Sequence, residues 1–177
     1  MTRSARLALA AALLFAGGGC GAGTRVEGGL ARDEGQRNAV IALLGIDSGD
    51  TVLDLGVCGD WFPRRFEEAV GNGGRVLTRA PDGGASSLAD LDGSVDLLFV
   101  CNAYHRISDP LIFFRDALAA LVPNGRVAIV EDEAAGGTSG GEIAREMREA
   151  GYEQLADHAI LPRGSFQIFR ADDGTGE

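Results

Sequence analysis

Lysine is absent from the chain. All 16 basic residues are arginine, they stand against 26 acidic ones, and the formal net charge is -10. No basic run offsets that balance, so there is nothing to neutralise a phosphate backbone, and nucleic acid is not an expected partner. The missing lysine itself carries no functional reading. Histidine is scarce too, with only His105 and His158, and the three cysteines, Cys20, Cys58 and Cys101, lie far apart. No metal-ligand spacing arises from these residues, and no metal site is expected. Also lacking are an internal repeat and an apolar run of the ~20 residues that a membrane-spanning helix needs.

The 177 residues, 45% of them hydrophobic, suit one compact domain. The first twenty stand apart from it. Arg3 and Arg6 precede an uncharged run over 7–16, and Gly17-Gly18-Gly19-Cys20 follows, so 1–20 reads as an export signal. Cys20, behind three small residues, resembles the lipid-modified cysteine of bacterial lipoproteins, although Gly17 stands where that pattern has leucine. That reading puts the protein in the cell envelope, with the membrane reached only through Cys20; ordinary cleavage after Ala22 is the alternative. Residues 21–30 are small and polar without periodicity and read as a linker. The domain is expected over 31–171, and 172–177 as a frayed tail.

Within the domain, hydrophobic period alternates between helix and strand. Ala39, Val40, Leu43 and Leu44 predict a helix over 33–44 that stops at Gly45, and TVLDL (51–55) reads as a buried strand. After a glycine loop, Phe62, Phe66, Ala69 and Val70 predict a second helix, and 75–78 a second strand. VDLLFVC (95–101), apolar but for Asp96 and next to Asp92-Gly93, reads as a central strand covered on both faces. A helix over 109–121 with Leu111, Phe114, Leu118 and Leu121 inward precedes a strand over 126–130. A loop at 136–141, a helix over 142–150 and a closing hairpin, 152–159 with 165–170, complete an α/β class with an open sheet.

Four segments occur in order: VLDLGVCGDWF (52–62), DGSVDLLFVCNAYHRISDP (92–110), LVPNGRVAIVE (121–131) and EMREAGYEQL (146–155). Together they resemble the class I S-adenosylmethionine-dependent methyltransferases, in particular members acting on small molecules. The resemblance implies a Rossmann-like, three-layer α/β/α fold with a mostly parallel sheet, S-adenosylmethionine as cofactor and a small-molecule acceptor as substrate. It implies that Asp54, Gly56, Val57, Gly59 and Asn102 bind the cofactor, and that Tyr104 and His105 face the acceptor as catalytic candidates, with His105 able to take a proton. A plainer reading of those last two is that Tyr104 packs and His105 caps the following turn.

The chain departs from the family pattern in three places. Cys58 and Asp60 stand where glycines are usual, and a side chain at either takes ligand volume or resists a positive φ. At the end of the second strand, Thr78-Arg79-Ala80 replaces the acid that accepts from ribose hydroxyls, and Asp82 lies in a turn beyond it. Residues 75–95 are too few for two strands and a crossover helix, which alone takes at least ~10 to 12 residues, so the third strand and its preceding helix are expected to be missing.

Cys58 and Cys101 fall at the ends of strands that the implied fold makes neighbours; two buried thiols are the expected arrangement and a disulfide the alternative. Two functions stay open: methyl transfer to an unidentified small molecule, or a catalytically inactive binding or interaction module tethered in the envelope. A third, nicotinamide dinucleotide binding through Gly56, Gly59 and Arg79, lacks the G-x-G-x-x-G spacing. Glu131-Asp132-Glu133 reads as a solvated turn.

Overall fold

The computed structural model describes residues 33–81 and 88–172. The signal, the linker, Cys20, Asp82 and the tail from 173 onward lie outside the described residues. The elements are α1 (Glu34–Leu44), β1 (Thr51–Asp54), α2 (Trp61–Val70), β2 (Arg75–Thr78), β3 (Val95–Cys101), α3 (Pro110–Ala117), β4 (Leu121–Asp132), α4 (Gly140–Glu149), β5 (Tyr152–Asp157) and β6 (Gly164–Ala171). Six strands form one sheet in the order β2-β1-β3-β4-β6-β5. Pairings from β2 through β4 are parallel, and β6 is antiparallel to both β4 and β5. This is the expected α/β architecture, with the closing hairpin arranged so that β6, not β5, meets β4.

The sheet is covered on both faces because alternate residues of its strands are apolar on both. Leu97, Phe99 and Cys101 of β3 face one way, packed with Val40 and Leu44 of α1 and Phe62 and Phe66 of α2. Leu98 and Val100 face the other way, packed with Phe113 and Phe114 of α3 and Ile143 and Met147 of α4. Thus three layers follow from a period-two strand between helices of period 3.6.

Helix starts follow their caps. Asp33 accepts from the Gln36 N–H at 3.0 Å, Asp109 from the Ile112 N–H at 3.0 Å with Pro110 in the first turn, and Ser139 from the Glu142 N–H at 3.3 Å. The Ser139 cap lets α4 begin two residues before the expected start.

The expected helix over 109–121 is shorter. It ends at Ala117, its buried residues are Phe113, Phe114 and Ala117, and Leu121 opens β4 instead. Pro123-Asn124-Gly125 forms an irregularity inside β4, where the register against β3 shifts between Val95 and Leu97. Asn124 has φ 65°, and a Cβ on Gly125 would come within 2.9 Å of the Val95 and Val122 carbonyl oxygens. Asparagine and glycine therefore suit this kink on conformational grounds.

Between Thr78 and Val95, no described residue belongs to a strand or an α-helix, and β2 is the sheet edge. An ion pair from Arg79 to Asp90 at 2.7 Å ties the two sides of this short connection. At the other end of the domain, the Arg126 guanidinium on β4 donates to the Leu44 and Gly45 carbonyls at 2.6 and 2.7 Å, capping the carboxyl end of α1. Arg126→Met is expected to cost about 1.5–3 kcal/mol, the range of hydrogen bonds to charged groups. Urea denaturation should show that loss, with faster amide exchange confined to α1.

Candidate functional site

The carboxyl ends of β1, β3 and β4 lie side by side, and the sequence-derived candidates gather there. Asp54 ends β1 and is 3% exposed. Its Oδ1 accepts the Gly56 N–H at 2.7 Å, closing a tight turn. A Cβ on Gly56 would stand 2.6 Å from that Oδ1 and 3.1 Å from the Cys101 Cβ, so only glycine fits. Burial pushes the Asp54 carboxyl up to about 6, a rise that the Gly56 N–H partly offsets.

The turn continues β1 by pairing with β3, through Leu55 N–H to the Phe99 carbonyl at 2.8 Å and Val57 N–H to the Cys101 carbonyl at 3.1 Å. Gly59 then takes φ 79°, whereas Cys58 has no positive φ and Asp60 sits at φ -78°. The loop thus needs left-handed backbone at one residue only, and the side chains of Cys58 and Asp60 cause no backbone conflict. Cys58 and Cys101 form a disulfide, with Cα atoms 5.9 Å apart. This corrects the expectation of two buried thiols: the Val57 bond to β3 carries the loop across the strand end and brings Cys58 within bridging distance.

Asp54, Gly56, Val57, Gly59, Asp60 and Thr78 border a cleft of about 660 Å³ beneath the start of α2. Arg79 turns to Asp90, which removes the guanidinium that a dinucleotide reading requires. A smaller cavity, about 300 Å³, lies beyond β4, between Asp33 and Gln36 at the start of α1 and Leu161 to Gly164 of the hairpin.

The end of β3 is organised by a residue that sequence reasoning missed. Glu131 is fully buried, and it accepts the Tyr104 N–H at 2.6 Å on Oε1 while Oε2 lies 2.9 Å from His105 Nδ1. The expected solvated turn is therefore corrected at its first residue. Glu131 shares a strand face with Val127 and Ile129, both buried, and that period-two register was the available signal. Gly137 packs over it, since a Cβ there would approach Oε2 to 2.4 Å.

Asn102, 4% exposed, takes φ 48° and accepts the Asp132 N–H at 2.8 Å, while its Nδ2 is buried with no partner among the described residues. Tyr104 is 1% exposed, stacked on Phe114 at 5.5 Å, and its hydroxyl donates to Glu146 at 2.7 Å. Burial and the Glu146 carboxylate raise its pKa well above the usual phenol value. Tyr104 therefore packs. His105 keeps 31% of its side chain exposed.

No protein-family model matches the chain, and no curated protein matches it. Solved structures do. An S-adenosylmethionine-dependent methyltransferase from Aquifex aeolicus gives a TM-score of 0.64 at 18% identity, covering 78% of this chain and 91% of that one. The 1,6-didemethyltoxoflavin-N1-methyltransferase of Burkholderia thailandensis, solved with its namesake ligand and S-adenosylhomocysteine, gives 0.60 at 17% identity over 83% and 80%. The fold is that of the S-adenosylmethionine-dependent methyltransferases. The cyclase SpnF shares it, with a TM-score of 0.56 at 20% identity over 72% of this chain and 60% of its own. A methyltransferase fold alone thus leaves the reaction to be argued from the site.

Two tests follow from the loop. Cys58→Ser with Cys101→Ser should lower stability by about 2–4 kcal/mol in denaturant, as expected for opening a loop of this size. An unchanged midpoint would show that the bridge contributes nothing. The raised Asp54 pKa means that the folded state binds its proton more tightly than the unfolded chain. The stability this contributes is complete below about pH 4 and lost as pH rises through about 6, up to about 3 kcal/mol. Asp54→Asn, which can still accept from Gly56, should remove that slope, so its advantage over wild type in urea should grow from pH 4 to pH 7.5.

Proposed function

We propose that the chain is an S-adenosylmethionine-dependent methyltransferase acting on a small molecule. The observation that carries this reading is the Asp54–Gly56 turn at the end of β1, open above to the 660 Å³ cleft. The residues fit the methionine half of the cofactor. The glycine backbone allows close approach, the Asp54 carboxyl supplies an acceptor, and Asn102, one residue beyond β3, holds a buried Nδ2 with no partner among the described residues that would serve as a donor. The ribose half is less well provided, because the Thr78 hydroxyl stands where an acid would accept two hydrogen bonds. When bound, the cofactor supplies an electrophilic methyl group on sulfur. The chain's part is to hold the reactants in line and to receive the proton that the acceptor loses.

The 300 Å³ cavity beyond β4, walled by Val130, Leu161 and Pro162 and edged by Asp33, Gln36 and Arg163, is suited to a compact acceptor with an apolar body and polar substituents. We further propose an exported protein held in the envelope through lipid on Cys20. The Cys58–Cys101 disulfide supports an oxidising compartment. Replacement of Cys20 by serine should release the protein from the membrane fraction.

A second reading, a non-catalytic binding module, is favoured by one observation: no carboxylate from β2 borders the cleft. Calorimetric titration separates the two. The methyltransferase reading expects S-adenosylmethionine and S-adenosylhomocysteine to bind with micromolar dissociation constants, and Asp54→Ala to weaken both at least tenfold. Absence of binding at millimolar concentration would favour the second reading.

A further inference from the structure

The 300 Å³ cavity beyond β4 carries charges of both signs on its rim, and they do not neutralise one another. Asp33 and Asp132 border it, and so does Arg163, whose guanidinium has no ion pair or hydrogen bond among the described residues. The backbone fixes where these groups stand. Gly164 is paired with Asp132, and a Cβ on Gly164 would collide with the Glu131 carbonyl oxygen, so the hairpin turn that bears Arg163 lies directly against β4. The Ala134 N–H holds the Arg163 carbonyl at 3.4 Å. Asp33 is tied to α1 through Oδ1, which accepts the Gln36 N–H at 3.0 Å, and its Oδ2 has no partner among the described residues. Between the charged groups, Val130, Leu161 and Pro162 form an apolar wall. Glu131 also borders the cavity, but its two carboxylate oxygens are held by the Tyr104 N–H and by His105.

A ligand of one sign answers only part of this rim. A simple carboxylate would meet Arg163 but also Asp33 and Asp132, in the field of a chain whose formal net charge is -10. A simple amine would meet the carboxylates and set a second cation near Arg163. A neutral apolar molecule would take water from charged groups without replacing it. A zwitterion answers both signs, brings no net charge into the field, and can lay a short side chain on the apolar wall. A peptide terminus brings only one of the two charges. The volume lies at the lower end of small-molecule pockets, roughly 300–1,000 Å³, and leaves no space for a long side chain.

We propose that this cavity binds a free α-amino acid with a compact apolar side chain, its ammonium group toward Asp33 and Asp132 and its carboxylate on the fork of the Arg163 guanidinium. The inference rests on the methyltransferase reading only for the ligand's role as acceptor; binding is a property of the cofactor-free protein. Asp33 and Arg163 are exposed, so each pairing is weak and the expected dissociation constant is on the order of 1 mM.

The test is amide NMR titration of the cofactor-free protein with three probes of one carbon frame: L-leucine, isopentylamine, which lacks the carboxylate, and isocaproate, which lacks the ammonium group. Leucine should bind about tenfold tighter than either analogue and move the amide signals of Gln36, Arg163 and Gly164, with those over 56–60 unmoved. Arg163→Gln should bring leucine down to the level of isopentylamine and leave the amine's own binding no weaker. Asp33→Asn combined with Asp132→Asn should weaken leucine and isopentylamine but not isocaproate; both replacements keep an oxygen that can accept the Gln36 and Ala134 N–H groups. The proposal is overturned by absence of leucine binding at tens of millimolar, by leucine binding no tighter than an analogue, or by an Arg163→Gln variant that binds leucine like wild type. Shifts confined to 56–60 would put leucine in the cofactor cleft and overturn it too. A separate titration with S-adenosylhomocysteine keeps the two readings apart. Leucine binding without it retains the amino-acid site and removes its role as acceptor site, whereas S-adenosylhomocysteine binding without leucine removes the amino-acid site alone.

Discussion

The reversal of strand order between β1 and β3 is the constraint on which the rest of this molecule depends. From β1 the chain crosses through α2 to β2 on one side, and from β2 it returns past β1 to β3 on the other. Connections that leave in opposite directions open a crevice above the strand ends, where open α/β sheets take their ligands. Here the crevice is spanned from below. Backbone bonds from Leu55 and Val57 continue the β1–β3 pairing past the last strand residue, and the Cys58–Cys101 disulfide fastens the loop to the end of β3. A covalent brace thus holds a turn in which only Gly59 uses left-handed backbone.

Two buried acidic groups sit along the same edge and are accommodated differently. Asp54 has one backbone donor, from Gly56, and burial raises its pKa. Glu131, more deeply buried, is met by a backbone N–H and an imidazole, and its two oxygens are both engaged. A buried carboxyl group with full hydrogen bonding is costly to disturb, since removal of one partner leaves the other unsatisfied. This explains why Tyr104 and His105, adjacent in sequence, serve different ends. The Tyr104 ring goes into the core between Phe114 and α4, while its N–H and the His105 ring converge on Glu131.

Much of the fold was legible in the sequence because its signals are local. VDLLFVC is apolar at every position but Asp96, and it became the strand with helices on both faces. The shortage of residues over 75–95 likewise announced a sheet that ends at β2. The helix after Asp109 was read too long because Leu118 and Leu121 continue its spacing, and only pairing with Val95 draws Leu121 into β4. Around the cleft, Asp54, Gly56 and Gly59 were singled out by the resemblance to the family's glycine-rich loop, and they do border the cleft. Glu131 could not be found from charge, since three consecutive acids look like a solvated turn; its burial follows from the strand register that precedes it. The disulfide depended on how far the loop follows β3 beyond β1, which sequence spacing does not report.

The proposed function requires the braced loop above β1 to hold S-adenosylmethionine. Amide hydrogen exchange of the protein alone and saturated with S-adenosylhomocysteine tests it most directly. The account predicts slowed exchange across residues 56–60 and at Asn102, with the β5–β6 hairpin unchanged. Unchanged exchange over 56–60 at saturating ligand, or protection confined to another part of the sheet, would contradict it.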